Sequence, residues 1–506
     1  MRGELYDVML AAYVLNPGGK IEFKNLVLEE LGEEIIAGGK KGQLGLEMDS
    51  PQDLAQKICR AADYIWKLKN IYEEKIEKIS REQNILRKKP SFLLRSSASL
   101  KNVFNEIEMP LIKILANMEI AGVKLNTIIF KGISQKIGDT IANLEKNIWK
   151  LAKTEFNVNS PLQLADVLFN KLKLPTGDIK KIKTGYSTAS AELGKLRDKH
   201  KIIEKIEEYR ELFKLKTTYL DTLPELVDKD KRIHTTFNQA VTATGRLSSS
   251  DPNLQNIPIK TDLGQLLRTA FVAEKGYKLV SADYSQIDLR VVAHMSGDKK
   301  LIETFIKGED IHRATAAEVF KVTPSQVTEK MRRSAKALNF GIIYGMSVFG
   351  FSEAAGIDRD EAKKFIDEYM KKFTGVAGYI RKTKEFAKVN GYVETEAGRR
   401  RYIPEINSPN FQVQNAAERM AINMPIQGLA ADIMKLAMAR IYADLVADKA
   451  DDIRMVLQIH DEIILEVKEE LAEEVAKKVK EIMENVYSLK VPLIVNVKAG
   501  DNWGEI

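Results

Sequence analysis

Two kinds of hydrophobic pattern alternate along this chain of 506 residues. Short, nearly continuous apolar runs stand at Lys278-Leu279-Val280-Ser281-Ala282, from Ile453 to Ile459, and from Ile463 to Val467. Each has the length of a buried strand. The last two flank His460-Asp461-Glu462, which predicts a hairpin with two acids at its turn. Elsewhere apolar residues recur at helical spacing, with abundant lysine from about 130 to 225. Residues 72–89 are dense in Lys, Arg and Glu and are stopped by Pro90, which predicts a charged, solvent-facing helix and a domain junction. Arg332, Lys336, Phe340 and Tyr344 recur every four residues, one slowly drifting stripe on a helix with Thr328 as N-cap and Gly345 as stop. Arg419, Asn423 and Gln427 repeat that spacing on a second helix, which Gly428 is expected to interrupt. Strands scattered among long helices give an α+β class.

The chemistry concentrates where the patterns end. Asp283 follows the first apolar run and Asp461 follows the second. If the strands are neighbours, the two carboxylates converge at a sheet edge, repel, and raise each other's pKa. Divalent cations remove the conflict, and carboxylate oxygens suit Mg²⁺. Two metals held this way are an arrangement for in-line phosphoryl or nucleotidyl transfer. The stripe from Arg332 to Tyr344 runs from cations to aromatics, which suits a triphosphate followed by a sugar and base.

Bulk properties narrow the class without naming it. The length is too great for one core and predicts several domains. A formal charge of +7 permits nucleic-acid binding without requiring it. The single cysteine, Cys59, excludes an internal disulfide framework and fits a reducing compartment. Five histidines without paired Cys/His spacing argue against zinc. No run of 18 apolar residues predicts a membrane span, and acids at Glu4 and Asp7 do not fit a secretory signal, so a cytoplasmic location is expected.

Four segments in order carry a resemblance. They are Thr242-Ala243-Thr244-Gly245-Arg246 with its continuation to Pro258, then Asp283-Tyr284-Ser285-Gln286-Ile287-Asp288-Leu289-Arg290. Next comes Arg332 to Gly345 as Arg-x-x-x-Lys-x-x-x-Phe-Gly-x-x-Tyr-Gly, and last Gln458-Ile459-His460-Asp461-Glu462. Alone, an Asp-Glu turn is an ordinary surface feature and a lysine-rich face an ordinary solvated one. In this order and spacing the four resemble the family A DNA polymerases of the bacterial DNA polymerase I type, over roughly residues 100–506.

The resemblance implies a right-hand architecture of palm, fingers and thumb behind an N-terminal remnant exonuclease-like domain. The expected boundaries are residues 1–89 for a partial, inactive 3′–5′ exonuclease-like domain, 90–225 for the polymerase entry segment and thumb, 226–288 and 416–506 for the palm, and 289–415 for the fingers. Tyr6 to Pro17 resembles the interior of the exonuclease domain. The acid of that domain's third motif aligns with Ala61, with Asp63 two residues out of place, so proofreading is not expected. No 5′ nuclease domain is expected within the chain.

The resemblance also implies roles. Asp283 and Asp461 hold two Mg²⁺ ions, with Mn²⁺ able to substitute, and Glu462 lies beside them. Arg332, Lys336 and His312 contact the incoming deoxynucleoside triphosphate, with Lys336 a candidate general acid toward pyrophosphate. Phe340 packs on the sugar and discriminates against dideoxynucleotides. Tyr344 closes the insertion pocket with Gln286 nearby. The family's Glu that blocks a 2′-hydroxyl is here Asp288, one methylene shorter, so a weakened bias against ribonucleotides is expected. Arg246, Gln255, Asn256, Arg419, Asn423, Gln427 and His460 contact primer-template DNA, and the basic cluster Gly398 to Tyr402 lies beside template. A monomer extending a primer is expected. Two other readings stay open: a single-subunit RNA polymerase relative, and a non-catalytic DNA-binding accessory protein.

Overall fold

The computed structural model describes residues 5–35, 51–87, 98–259 and 261–506. Glu4 and Pro90 lie outside them. The chain forms two compact units. One comprises residues 1–121, 235–255 and 277–499; the other comprises 122–234, 256–276 and 500–506. They cut across the five segments expected from the sequence.

In the first unit, helix α1 (Val8–Leu15) is apolar around its whole circumference, and Asp7 caps it by accepting from the amides of Met9 and Leu10. Such a helix must be enclosed. Val8, Leu10, Tyr13 and Val14 are all buried, in a cluster with Leu68, Tyr72, Ile76, Leu100, Val103 and Phe104. Helix α2 (Pro51–Arg87) supplies part of that cluster. Its expected solvent-facing character is corrected here: Tyr72, Ile76, Ser80 and Gln83 make a buried stripe at helical spacing, and only the other faces meet water.

The largest sheet of this unit has four strands: β1 (Tyr277–Tyr284), β2 (Ile453–Ile459), β3 (Glu462–Lys468) and β4 (Val495–Gly500), in the order β2-β3-β1-β4. The apolar runs are therefore the three neighbouring strands, and β3 is antiparallel to both β2 and β1. Leu279, Val280, Ala282, Ile463, Ile464 and Leu465 are essentially buried. Each large aliphatic side chain so enclosed contributes ~1.5–3 kcal/mol. The register sets Asp283 directly opposite Glu462. The acids thus meet at the ends of the two central strands, not at a lateral edge of the sheet.

Four helices frame that strand end. Helix α3 (Ile287–Ser296) leaves β1 after a turn through Gln286, whose φ of 56° is left-handed. Helix α4 (Ile311–Phe320) packs on α5 (Glu329–Ile343). Thr328 caps α5 by accepting from the Met331 amide, and Gly345, with φ 60°, follows its end. Helix α6 (Phe411–Ile441) runs unbroken past Pro425 and Gly428. Gly428 does not interrupt it: a Cβ there would overlap the Thr395 methyl and come within 3.3 Å of the Thr244 carbonyl oxygen, so glycine permits close packing.

The second unit is built on helices Thr127–Ala152 and Ile202–Leu215. Their facing stripes, Phe130, Ile133, Ile137, Leu144 and Ile148 against Ile202, Ile206, Tyr209 and Leu212, are buried. Phe271 meets Trp503 edge-on at 5.4 Å, and Arg268 lies 4.1 Å over the same indole.

Candidate active site

Backbone geometry fixes the acidic strand end. Tyr284 donates its amide to the Asp461 carbonyl at 3.0 Å, tying the hairpin turn to the end of β1. His460 takes a left-handed φ of 51° in that turn, as Gln286 does on the other strand. Two non-glycine residues in this sparsely populated region are held by their surroundings, and such strain gathers at functional sites.

Burial and neighbouring carboxylates raise both aspartates. Asp283 is pushed up to about 7, by desolvation first and then by the charges of Glu462 and Asp461. Asp461 is pushed up to about 6 by desolvation and by Asp288, against the opposing pull of Arg246. Glu462 accepts from the Ser281 hydroxyl. Among the described residues no group of three or more His, Cys, Asp or Glu side chains is assembled to hold a metal by itself. The donors nonetheless fit a hard divalent cation: two carboxylates that resist ionising side by side are stabilised by one, and Mg²⁺ commonly completes its shell with water and substrate oxygens.

Beside them Asp288 begins α3, buried to 7 % exposure, where the positive end of the helix favours a carboxylate. Arg246 Nη2 donates to both Asp288 oxygens at 3.3 Å and lies 3.5 Å from Asp461 Oδ1. The Tyr344 hydroxyl donates to Asp288 Oδ2 at 3.4 Å. Asp288 is thus shared by a cation and a phenol, a grouping that the sequence assigned only in part.

On α5, Lys336 is exposed and Arg332 and Phe340 are half-buried, while Tyr344, expected on the same stripe, lies just past the last helical residue and is 37 % exposed. Arg332 Nε donates to Asp310 Oδ2 at 2.7 Å. His312 is buried, and the Asn339 amide donates to its Nδ1 at 3.1 Å, which leaves the ring proton on Nε2. Desolvation, with Lys336 and Arg332 nearby, lowers its pKa to about 4 against the pull of Asp310, so the ring is neutral at pH 7. Its centroid is 5.9 Å from that of Phe340. Asp310 and Asn339 were not singled out from the sequence; their offsets from His312 and Phe340 are uninformative until the two helices pack.

Arg419 is exposed on α6 and packs so closely on Gly345 that a Cβ there would lie 2.6 Å from Arg419 Cγ. Asn423 and Gln427 are half-buried further along the helix, and the Asn423 Oδ1 is buried without a hydrogen-bond partner. Gln255 donates to the Gln458 carbonyl at 3.1 Å, and Gln458 in turn donates to the His460 carbonyl at 2.6 Å. His460 and Gln286 are exposed. Asn256 is exposed and belongs to the second unit. Ala61 and Asp63 lie on α2, where Asp63 pairs at the surface with Lys67 at 2.8 Å.

The expectation of a basic patch at 398–402 is overturned. Arg399 is fully buried and Arg400 nearly so. Arg399 Nη2 donates to Glu108 Oε1 at 2.5 Å and to Asp432 Oδ1 at 2.7 Å, while Lys435 Nζ donates to Glu108 Oε1 at 2.7 Å. Arg400 pairs with Glu394 and stacks 3.9 Å over Tyr392. Two cations and two anions form a neutral buried cluster, the condition under which burying charge is tolerable. Only Tyr402 of the run is clearly exposed.

The mixed α/β fold thus combines paired carboxylates at a strand end with a helix that carries Arg332, Lys336 and Phe340 at four-residue steps and Tyr344 just past its end. The family description DNA polymerase family A matches residues 128–505, and the chain belongs to that family. Among its relatives, the thermostable DNA polymerase I of Thermus aquaticus is 51% identical over 403 residues, 79% of this chain and 48% of that protein. DNA polymerase I of Pseudomonas aeruginosa is 43% identical over 514 residues, 100% of this chain and 54% of that one. The chain therefore spans about half the length of the curated relatives it matches. A solved structure described as the POL domain of Pol1 from M. smegmatis in complex with DNA primer-template and dNTP superposes with a TM-score of 0.87 at 37% identity, covering 99% of this chain and 82% of that one. Residues before 128 lie outside the family match, in keeping with a degenerate exonuclease domain. Among the described residues no helix is long and apolar enough to cross a membrane.

Proposed function

We propose that this chain is a DNA-templated DNA polymerase that extends a primer 3′ end with deoxynucleoside triphosphates. The observation that carries the reading is the register that puts Asp283 opposite Glu462 with Asp461 beside them, facing Arg246, Asp288 and Tyr344. Asp283 and Asp461 are the residues that would hold two Mg²⁺ ions, with Mn²⁺ able to substitute. Bound there, the ions supply positive charge that makes a 3′-hydroxyl easier to deprotonate and stabilises charge on the transferring phosphorus.

The protein's own groups do the rest. Lys336 and Arg332 bind the triphosphate, and Lys336 gives a proton to the departing pyrophosphate. Arg332 must exchange Asp310 for phosphate, a trade of one anion for another. His312 acts as a neutral donor through Nε2. Phe340 packs on the sugar, and Tyr344 with Gln286 borders the pairing base. Asp288 crowds a 2′-hydroxyl from one methylene further away than a glutamate would. Arg246 senses the primer-end pair through minor-groove acceptors that are alike for all four pairs. Gln255, Asn256, Arg419, Asn423, Gln427 and His460 line primer and template. The N-terminal segment does not proofread, and the enzyme works as a monomer. Palm, fingers and thumb are assigned with the boundaries given above.

The test is extension of a recessed primer with Mg²⁺ and four deoxynucleotides, beside lanes with ribonucleotides and with none. Template-length product, no shortening without nucleotide, and weak ribonucleotide addition are expected. Primer-template binding without extension would move the chain to the accessory reading. A transcript from ribonucleotides alone would favour the RNA polymerase relative.

A further inference from the structure

The turn that carries Arg246 is clasped on three sides. Tyr13, fully buried in α1, donates its hydroxyl to the Thr242 carbonyl at 2.7 Å. The Thr242 hydroxyl donates to the Arg246 carbonyl at 2.6 Å, closing the turn on itself. Gly245, with φ 90°, rests on the buried Arg399: a Cβ there would lie 2.7 Å from Arg399 Nε. Thr244 lies against Gly428. The α1 cluster continues onto Ala240, Ala397 and Leu436, neighbours in sequence of the turn and of the ion cluster. Gly245, Arg246, Lys435 and His460 line one small cavity.

Arg246 itself is incompletely held. Its Nε is buried with no hydrogen-bond partner, and its Nη2 contacts to Asp288 and Asp461 are long, at 3.3–3.5 Å. The aim of the guanidinium therefore depends on the backbone of residues 242–246. We infer that Tyr13, in the N-terminal segment outside the family match, is a positioning residue for Arg246: through Thr242 it braces the turn that aims the guanidinium at the acidic site. The N-terminal segment thus serves the polymerase site. The inference rests on the proposed polymerase function only for its kinetic readout.

The test is a double-mutant cycle of Tyr13→Phe and Arg246→Ala in the full chain, read as kcat and KM for a matched and a mismatched primer end, with thermal midpoints measured in parallel. Losing one buried hydrogen bond predicts about a fivefold fall in kcat/KM for Tyr13→Phe in the otherwise native chain. In the Arg246→Ala background the same change costs nothing, because the group it positions is gone. Discrimination between matched and mismatched ends falls with Tyr13→Phe. An equal loss in both backgrounds, or a lowered midpoint with kcat/KM unchanged, would make Tyr13 structural only and overturn the inference. Amide exchange across residues 242–246 needs no substrate: it accelerates in Tyr13→Phe if the brace exists and is unchanged if it does not. If the native chain fails to extend primer at all, the polymerase reading falls, while the exchange measurement still decides the brace.

Discussion

Asp283→Asn removes a charge from a carboxylate held among like charges, and it should stabilise the metal-free protein. Asp283 moves from its ordinary 3.8 to about 7 on folding, through desolvation and the charges of Glu462 and Asp461. That difference is worth ~4 kcal/mol at most, and partial solvent access reduces it to roughly 2 kcal/mol. Because the carboxyl is harder to ionise in the fold than in the unfolded chain, the folded state holds more protons between pH 4 and 7. Stability is therefore lost as pH rises through that window and stays lost above it. With chelator at pH 8, Asp283→Asn should raise the melting midpoint of the unit that carries the sheet by roughly 4 °C, taking about 2 °C per kcal/mol for a large domain. Near pH 4.5 the native carboxyl is neutral and nearly isosteric with the amide, so the gap should close. Saturating Mg²⁺ at pH 8 should reverse the order, since a ligand that binds the folded state stabilises the native protein by mass action. Differential scanning of both proteins under the three conditions is the assay. A variant no more stable than the native chain with chelator at pH 8, or a gap independent of pH, would refute the account of the site as mutually repelling carboxylates.

Restoring the longer acid, Asp288→Glu, should increase deoxynucleotide over ribonucleotide selectivity by about tenfold, the worth of one methylene in a fitted pocket; single-nucleotide kcat/KM ratios check it, and an unchanged ratio counts against a softened gate. Glu108→Gln leaves Lys435 and Arg399 short of a buried counter-charge and should cost ~3–5 kcal/mol by chemical denaturation, whereas Asp63→Ala, which breaks a surface pair, should leave the transition where it is. His312 is neutral above about pH 4 and should therefore contribute no step to the pH–rate profile between 5 and 8; a lost inflection in that range in His312→Gln would contradict this. Equal incorporation of dideoxy and normal nucleotides by the native chain would sink the role given to Phe340.

The sequence by itself determined what local rules govern. Apolar runs of strand length became β1, β2 and β3, because a strand enclosed on both faces must be apolar nearly throughout. Thr328 and Gly345 bounded α5, since caps and left-handed turns act within a few residues. Four-residue spacing put Arg332, Lys336 and Phe340 on one helical stripe. The tertiary structure decided what depends on partners far along the chain. Arg399 and Arg400 read as a surface patch because charge is usually solvated, yet Glu108 and Asp432, 291 and 33 residues from Arg399, turn it inward. Gly428 read as a helix break because glycine is a poor helix former, yet the approach of Thr395 and Thr244 requires the missing Cβ. Tyr13 read as part of a packed remnant, and only the fold places its hydroxyl on the carbonyl of Thr242, 229 residues away. Periodicity and capping are properties of neighbours in sequence, whereas charge compensation and close approach are properties of neighbours in space.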